Sequence, residues 1–335
     1  MKFLDVLAGE AISPPPIWLM RQAGRYLPEY RAVRAKAGDF ISLCLNPALA
    51  EEVTLQPVRK FGFDAAILFS DILILPMALG QGLRFAEGEG PRLPPLEDIG
   101  ILNPDRAAGV YAPVIETVNR LRGSLPRETA LIGFAGGPAT VACYMLDGQG
   151  GGFCRTRELA YQRPGFVRDV LDILVEATIE YLSAQVQAGA DCVMLFESWA
   201  GVFPPAQFRE FVIEPNRRIC AALKVRHKGV RIIGFPRLAG LLLGEYAREA
   251  GVDALGLDSV TSIGAARAAC PPGMVLQGNL DPLLLKLGGR AMDDAVAQLL
   301  DEARGHPHIV NLGHGITPDV PEAHVARLVE LVRRG

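Results

Sequence analysis

The stretch Cys192-Val193-Met194-Leu195-Phe196-Glu197-Ser198 holds five consecutive apolar residues and ends on a carboxylate and a hydroxyl. A short run without polar alternation is what a parallel strand looks like when both of its faces are covered. Just upstream, residues 166–188 place Leu171, Leu174, Ile179, Leu182 and Val186 at helical spacing. A helix delivering the chain to a buried strand is the building unit of an α/β fold. The unit recurs along the chain. Further apolar runs lie at 17–20, 65–69, 130–134, 230–235, 254–257, 274–276 and 308–312, which makes eight in all. Other helical patterns cover 48–61, 293–304 and 321–333. Eight such alternations predict a (β/α)8 TIM-type barrel, one domain over residues 1–335, rather than an open doubly wound sheet. The runs are unevenly spaced, so several loops at the C-terminal face must be long.

Composition narrows the function classes. The chain has 335 residues, 50% hydrophobic and 21% charged, with a formal net charge of -3. That balance argues against a nucleic-acid binder, which carries a basic excess. Only six of the 34 basic residues are lysine. An arginine bias of this kind suits bidentate recognition of carboxylate or phosphate, and codon usage explains it equally well. Six cysteines are scattered without CxxC spacing, as expected of reduced thiols in a cytoplasmic protein. The opening MKFLDVLAGE carries two acids and does not read as a signal peptide. The most apolar stretch, 65–80, is interrupted by Ser70, Asp71 and Pro76 and falls short of the roughly 20 residues of a membrane span.

Barrel chemistry sits where strands end. Those ends offer Arg21 and Arg25, Asp71, Phe134 to Gly137, Glu197 and Ser198, Arg237, Asp258, Asn279 with Asp281, and His314. Arg21 and Arg25 flank a Gln22-Ala23-Gly24 turn, and the glycine allows a tight bend and close approach to a ligand. The pair reads either as carboxylate clamps in one mouth or as a solvated loop with surface ion pairs. Asp71 lies inside an apolar run; it is either a helix cap or a carboxylate awaiting convergent donors. The Gly150-Gly151-Gly152 run lacks the lysine of a phosphate loop. Ser198 has no GxSxG elbow around it, which weighs against a nucleophile. His314, held between Gly313 and Gly315, is structural or exposed to the mouth.

Residues 20–31, MRQAGRYLPEYR, resemble the signature of the uroporphyrinogen decarboxylase family nearly residue for residue. Further blocks are similar to that family's: FSDILILP at 69–76, GFAGGPAT at 133–140 leading to Tyr144, FESWAG at 196–201, GFPR at 234–237, QGNLDP at 277–282 and NLGHG at 311–315. Ala139 departs from it, standing where the family usually has an aromatic residue.

The resemblance implies a cofactor-free and metal-free (β/α)8 barrel, usually a homodimer, that decarboxylates uroporphyrinogen. It implies that Arg21, Gln22, Ala23, Gly24 and Arg25 bind substrate, with the two arginines on its carboxylates. It also implies that Asp71 accepts hydrogen bonds from the pyrrole N–H groups, that Tyr144 lines the site, that Ser198 bonds a substrate side chain and that His314 touches a carboxylate. Arg21, Arg25 and Asp71 are the expected catalytic residues. The 234–237 and 277–282 blocks are expected to be mainly architecture. A cobalamin-dependent methyltransferase of the same superfamily would need His and Cys zinc ligands, and no HxC occurs. A non-catalytic tetrapyrrole carrier is the remaining alternative.

Overall fold

The computed structural model describes residues 1–86 and 90–335. Its strands are β1 (Ala65–Ile67), β2 (Arg84–Ala86), β3 (Gly90–Arg92), β4 (Ala130–Gly136), β5 (Cys192–Glu197), β6 (Arg231–Pro236), β7 (Ala254–Gly256), β8 (Val275–Gln277) and β9 (His308–Ile309). Seven of them form one parallel sheet in the order β1-β4-β5-β6-β7-β8-β9. The two short strands β2 and β3 form an antiparallel pair that no apolar run announced.

Seven of the eight predicted runs are therefore sheet strands, and their side chains are buried on both faces, as β4 shows over its whole length. Helices separate them. Pro47–Phe61, Pro164–Gln187, Gly289–Ala303 and Glu322–Arg334 match the four helical patterns to within a few residues.

The 17–20 run differs. It makes an isolated parallel pairing of Ile17 with Val310 instead of a named strand. The reason is that side chains take the place of ladder partners. The Ile17 N–H donates to Asp64 Oδ2 at 2.8 Å, and the Met20 N–H to Asn311 Oδ1 at 2.9 Å. Backbone bonds still tie the segment to both edges of the sheet: Asp64 N to Ile17 O at 3.0 Å, and Val310 N to Pro16 O at 2.8 Å. Trp18 is fully buried and donates its indole N–H to Gln277 Oε1 at 2.9 Å. Burying an aromatic of this size is worth several kcal/mol only if its N–H finds such a partner.

Candidate active site

The first and last parts of the chain meet at the carboxyl ends of the strands. Asn311 is the joint. Its buried Oδ1 accepts from Met20 N and from its own neighbour, Leu312 N, at 2.7 Å, and Ile316 N returns a bond to Met20 O at 2.9 Å. These bonds set Arg21 beside the 313–316 turn. An added Cβ on Gly315 would lie 2.8 Å from Arg21 Cγ and 2.9 Å from its Nε. Glycine there is what lets the arginine stem pass.

Arg21 itself adopts φ 61, in the left-handed region. For a non-glycine residue that conformation costs about 1 kcal/mol and persists only where surrounding structure enforces it. Among the described residues three non-glycines have positive φ: Arg21, Phe153 at 51 and Leu238 at 60. All three belong to this region, as the contacts below establish.

Arg21 is exposed, and among the described residues its guanidinium has no acid partner within salt-bridge distance. Its charge reaches Asp71, Tyr144 and His314. Asp71 follows β1. Oδ1 accepts the Leu73 N–H at 2.8 Å in a local turn. The helix that follows, Ile74–Leu79, has Leu73 at its N-cap and no side-chain cap, so Asp71 is not the helix cap. Burial raises its pKa, against the Leu73 bond and the Arg21 charge. Tyr144 lies on the helix Pro138–Asp147; burial raises its phenol as well. Burial pushes the His314 imidazole down to about 4, with the Arg21 and Arg237 cations adding to the effect. His314 is therefore neutral at ordinary pH, a hydrogen-bonding group that feels two guanidinium charges.

An aromatic wall faces this cluster. The Trp199 indole N–H donates to the Tyr144 hydroxyl at 3.2 Å, and Phe153 packs edge-on to both, with centroids 5.5 Å from Tyr144 and 4.9 Å from Trp199. Phe134, Phe196 and Phe235 form a second edge-to-face row across β4, β5 and β6, with centroids 5.6 and 6.1 Å apart. Behind the wall lies Glu197, fully buried at the end of β5. Its carboxylate accepts Ala139 N at 3.2 Å, Thr140 N and Thr140 Oγ1 at 2.9 Å, and Asn216 Nδ2 at 2.9 Å. Two of these donors are first-turn amides of the Tyr144 helix, where a carboxylate is favoured by the helix dipole. Burial nevertheless pushes Glu197 up to about 7.

Of the residues singled out from sequence, Asp71, Arg21, Tyr144 and His314 are brought together. Ser198 stands half-buried between Glu197 and Trp199, its hydroxyl without a partner among the described residues. Arg25 is exposed, and among the described residues only its carbonyl is engaged, accepting from Arg31 Nη1 at 2.7 Å. Gln22 turns inward. Its amide accepts Leu19 N at 3.1 Å and donates to Ala65 O at 3.2 Å, so its side chain fastens the turn to β1. Ala23 and Gly24 are half-buried, and a Cβ on Gly24 would come within 2.9 Å of Arg21 O. Sequence reasoning passed over Glu197, Trp199, Phe153 and Asn311 as functional groups and set Arg237 aside as architecture. Their signals were position at a strand end or in an adjoining loop and, for all but Phe153, membership of the FESWAG, GFPR or NLGHG blocks. Among the described residues no three His, Cys, Asp or Glu side chains are grouped to hold a metal ion, and no helix is long and apolar enough to cross a membrane.

The uroporphyrinogen decarboxylase family model matches residues 1–335. A protein named uroporphyrinogen decarboxylase from Acidiphilium cryptum is 59% identical over 334 residues, covering 98% of this chain and 93% of that protein. One of the same name from Granulibacter bethesdensis is 57% identical over 336 residues, covering 98% of each. Among solved structures, a methyltransferase from Methanosarcina mazei superposes with a TM-score of 0.80, over 99% of this chain and 97% of that one. At 21% identity that likeness concerns the fold alone.

Proposed function

The chain belongs to the uroporphyrinogen decarboxylase family and is a carboxy-lyase, and on that premise we propose how its own residues divide the work. The substrate is uroporphyrinogen III, and the four acetate arms become methyl groups as carbon dioxide leaves, giving coproporphyrinogen III. The observation that carries the reading is the grouping of a carboxylate, a guanidinium, a phenol and a neutral imidazole at one end of the sheet: Asp71, Arg21, Tyr144 and His314.

Breaking the bond to an acetate carboxyl leaves an electron pair on a methylene attached to pyrrole. Protonation of the electron-rich ring makes a cation that receives this pair. A second proton then completes the methyl group, and the ring gives back the first. Each arm thus consumes one proton and releases one carbon dioxide. Asp71 supplies negative charge in advance, under the ring nitrogens, and pyrrole N–H groups complete the hydrogen bonding of its second oxygen. Its raised pKa belongs to the unliganded site; four N–H donors would favour the ionised form. Arg21 and Arg25 hold carboxylates by charge-assisted bonds, with Arg21 nearest the proton transfer. His314 bonds a carboxylate without bringing a charge of its own. Tyr144 and Ser198 contribute hydroxyls. Gln22, Ala23 and Gly24 contribute the shape of the turn, since the Gln22 side chain is already committed.

Residues 1–335 make one domain, and the 17–20 segment closes the seven strands into a (β/α)8 barrel; its bonds to both sheet edges support this. The protein acts in the cytoplasm, without cofactor, as a homodimer. In support of the dimer, Leu238, Leu241, Val260, Leu283 and Leu287 expose large apolar surface beside the mouth. A monomer by light scattering would refute that part.

Anaerobic incubation with uroporphyrinogen, followed by chromatography of the oxidised products, tests the activity. Asp71→Asn is expected to lose about 10²- to 10³-fold in kcat while keeping its fold. Turnover within a few-fold of the parent would remove Asp71 from the centre of the mechanism.

A further inference from the structure

We propose that Arg237 is a substrate-binding residue for this reaction: a third guanidinium, held over Trp199, that grips a substrate carboxylate. The inference rests on the functional reading above and adds a residue to it.

The main chain around Arg237 is heavily fastened. Its N–H donates to Glu197 O at 3.1 Å and its carbonyl accepts Gly201 N at 3.2 Å, so β6 ends locked to the loop after β5. The next residue, Leu238, takes φ 60 and donates its N–H to Asp258 Oδ2 at 2.6 Å. Asp258 is fixed in turn by Val260 N at 3.2 Å and Thr261 Oγ1 at 2.7 Å. A Cβ on Gly201 would lie 2.5 Å from Leu238 O, so this approach demands glycine there. A leucine in the left-handed region and a glycine packed against its carbonyl are costs borne by the chain at this point. They fix the backbone from which the Arg237 side chain departs.

That side chain is left with a free head. The Arg237 guanidinium carbon sits 5.9 Å from the Trp199 ring centroid, within cation–π range, and the same indole bonds Tyr144. Among the described residues Arg237 has neither an ion pair nor a side-chain hydrogen bond. Exposed arginines such as Arg209, Arg217 and Arg231 are paired, with Glu245, Glu214 and Asp253. A half-buried guanidinium with five donors and no protein acceptor is open to an anion. Its charge and that of Arg21 both bear on the His314 imidazole. A substrate with eight carboxylates around its rim provides acceptors for both cations at once.

The test is steady-state kinetics of Arg237→Gln, Arg237→Met and Arg237→Lys with uroporphyrinogen, at several ionic strengths. Gln removes the charge, Met keeps the apolar stem over Trp199, and Lys keeps a charge without the planar fork. The backbone bonds are common to all three, and melting curves check the fold. Gln and Met are expected to raise KM roughly 10- to 100-fold, the loss of one charge-assisted hydrogen bond, with a smaller change in kcat. Their KM should also depend less steeply on salt than the parent's. Lys should recover part of the loss. Parent-like KM and salt dependence in a folded Gln or Met variant would overturn the assignment, and so would a variant that only melts earlier. If the parent itself leaves uroporphyrinogen unchanged, the functional reading fails instead, and the two failures are distinct.

Discussion

Replacing Glu197 by glutamine should alter stability by an amount that depends on pH. The folded carboxyl is held at about 7, against an ordinary 4.5. Well below 4.5 the folded and unfolded chains both carry the proton, and the group adds nothing to the pH dependence. Between 4.5 and 7 the unfolded chain releases its proton while the folded chain retains it, so folding loses stability as pH rises. At about 1.36 kcal/mol per pH unit, the full penalty is about 3 kcal/mol. Some 2.5 kcal/mol of it falls between about pH 5 and pH 8.5.

Glutamine carries no charge and escapes this penalty, but it has one oxygen where four donors converge. Its NH2 must face a donor, which orphans one or two buried groups at about 1–3 kcal/mol each. The variant is therefore expected to be clearly destabilised near pH 5 and close to the parent near pH 8.5. Urea denaturation of both proteins at one fixed concentration, at both pH values, measures this. A stability difference that stays constant within about 0.5 kcal/mol would mean that Glu197 is ionised throughout and that its donors outweigh desolvation. Activity should fall in either case, because the Tyr144 helix and Trp199, whose backbone N–H donates to Thr140 Oγ1 at 3.1 Å, hang from this carboxyl group.

Two further outcomes follow from the same geometry. Gly315→Ala places a methyl against the Arg21 side chain at a position whose backbone tolerates alanine, so the melting temperature should hold while KM rises about 10-fold; unchanged KM would mean that Arg21 has room to move without loss. His314, held at about 4 by burial and two guanidinium groups, should show an NMR titration midpoint far below the usual 6.5, moving up when Arg237 is neutralised. Its contribution to stability is present above 6.5 and lost as pH falls through 4, and a midpoint at 6 or higher would refute its placement.

Local sequence determined the repeating unit, because burial on both faces leaves a run of apolar residues wherever a central parallel strand must pass. It also supplied the residues proposed for the site, since Arg21, Asp71, Tyr144, Ser198 and His314 each sit in a short, specific context. Tertiary structure alone decided which way those groups face. Gln22 sits in the middle of the signature, yet its amide turns into the core because Leu19 N and Ala65 O are within reach. Arg25, four residues after Arg21, is exposed with its guanidinium free of protein partners among the described residues. Arg21 meets His314 only because Asn311 bonds a backbone amide 291 residues away in the chain. Arg237 gains its place from a left-handed leucine and from an indole on the neighbouring strand's loop. A side chain's direction depends on backbone dihedrals and on hydrogen-bond partners distant in sequence, and neither is written in the residues beside it.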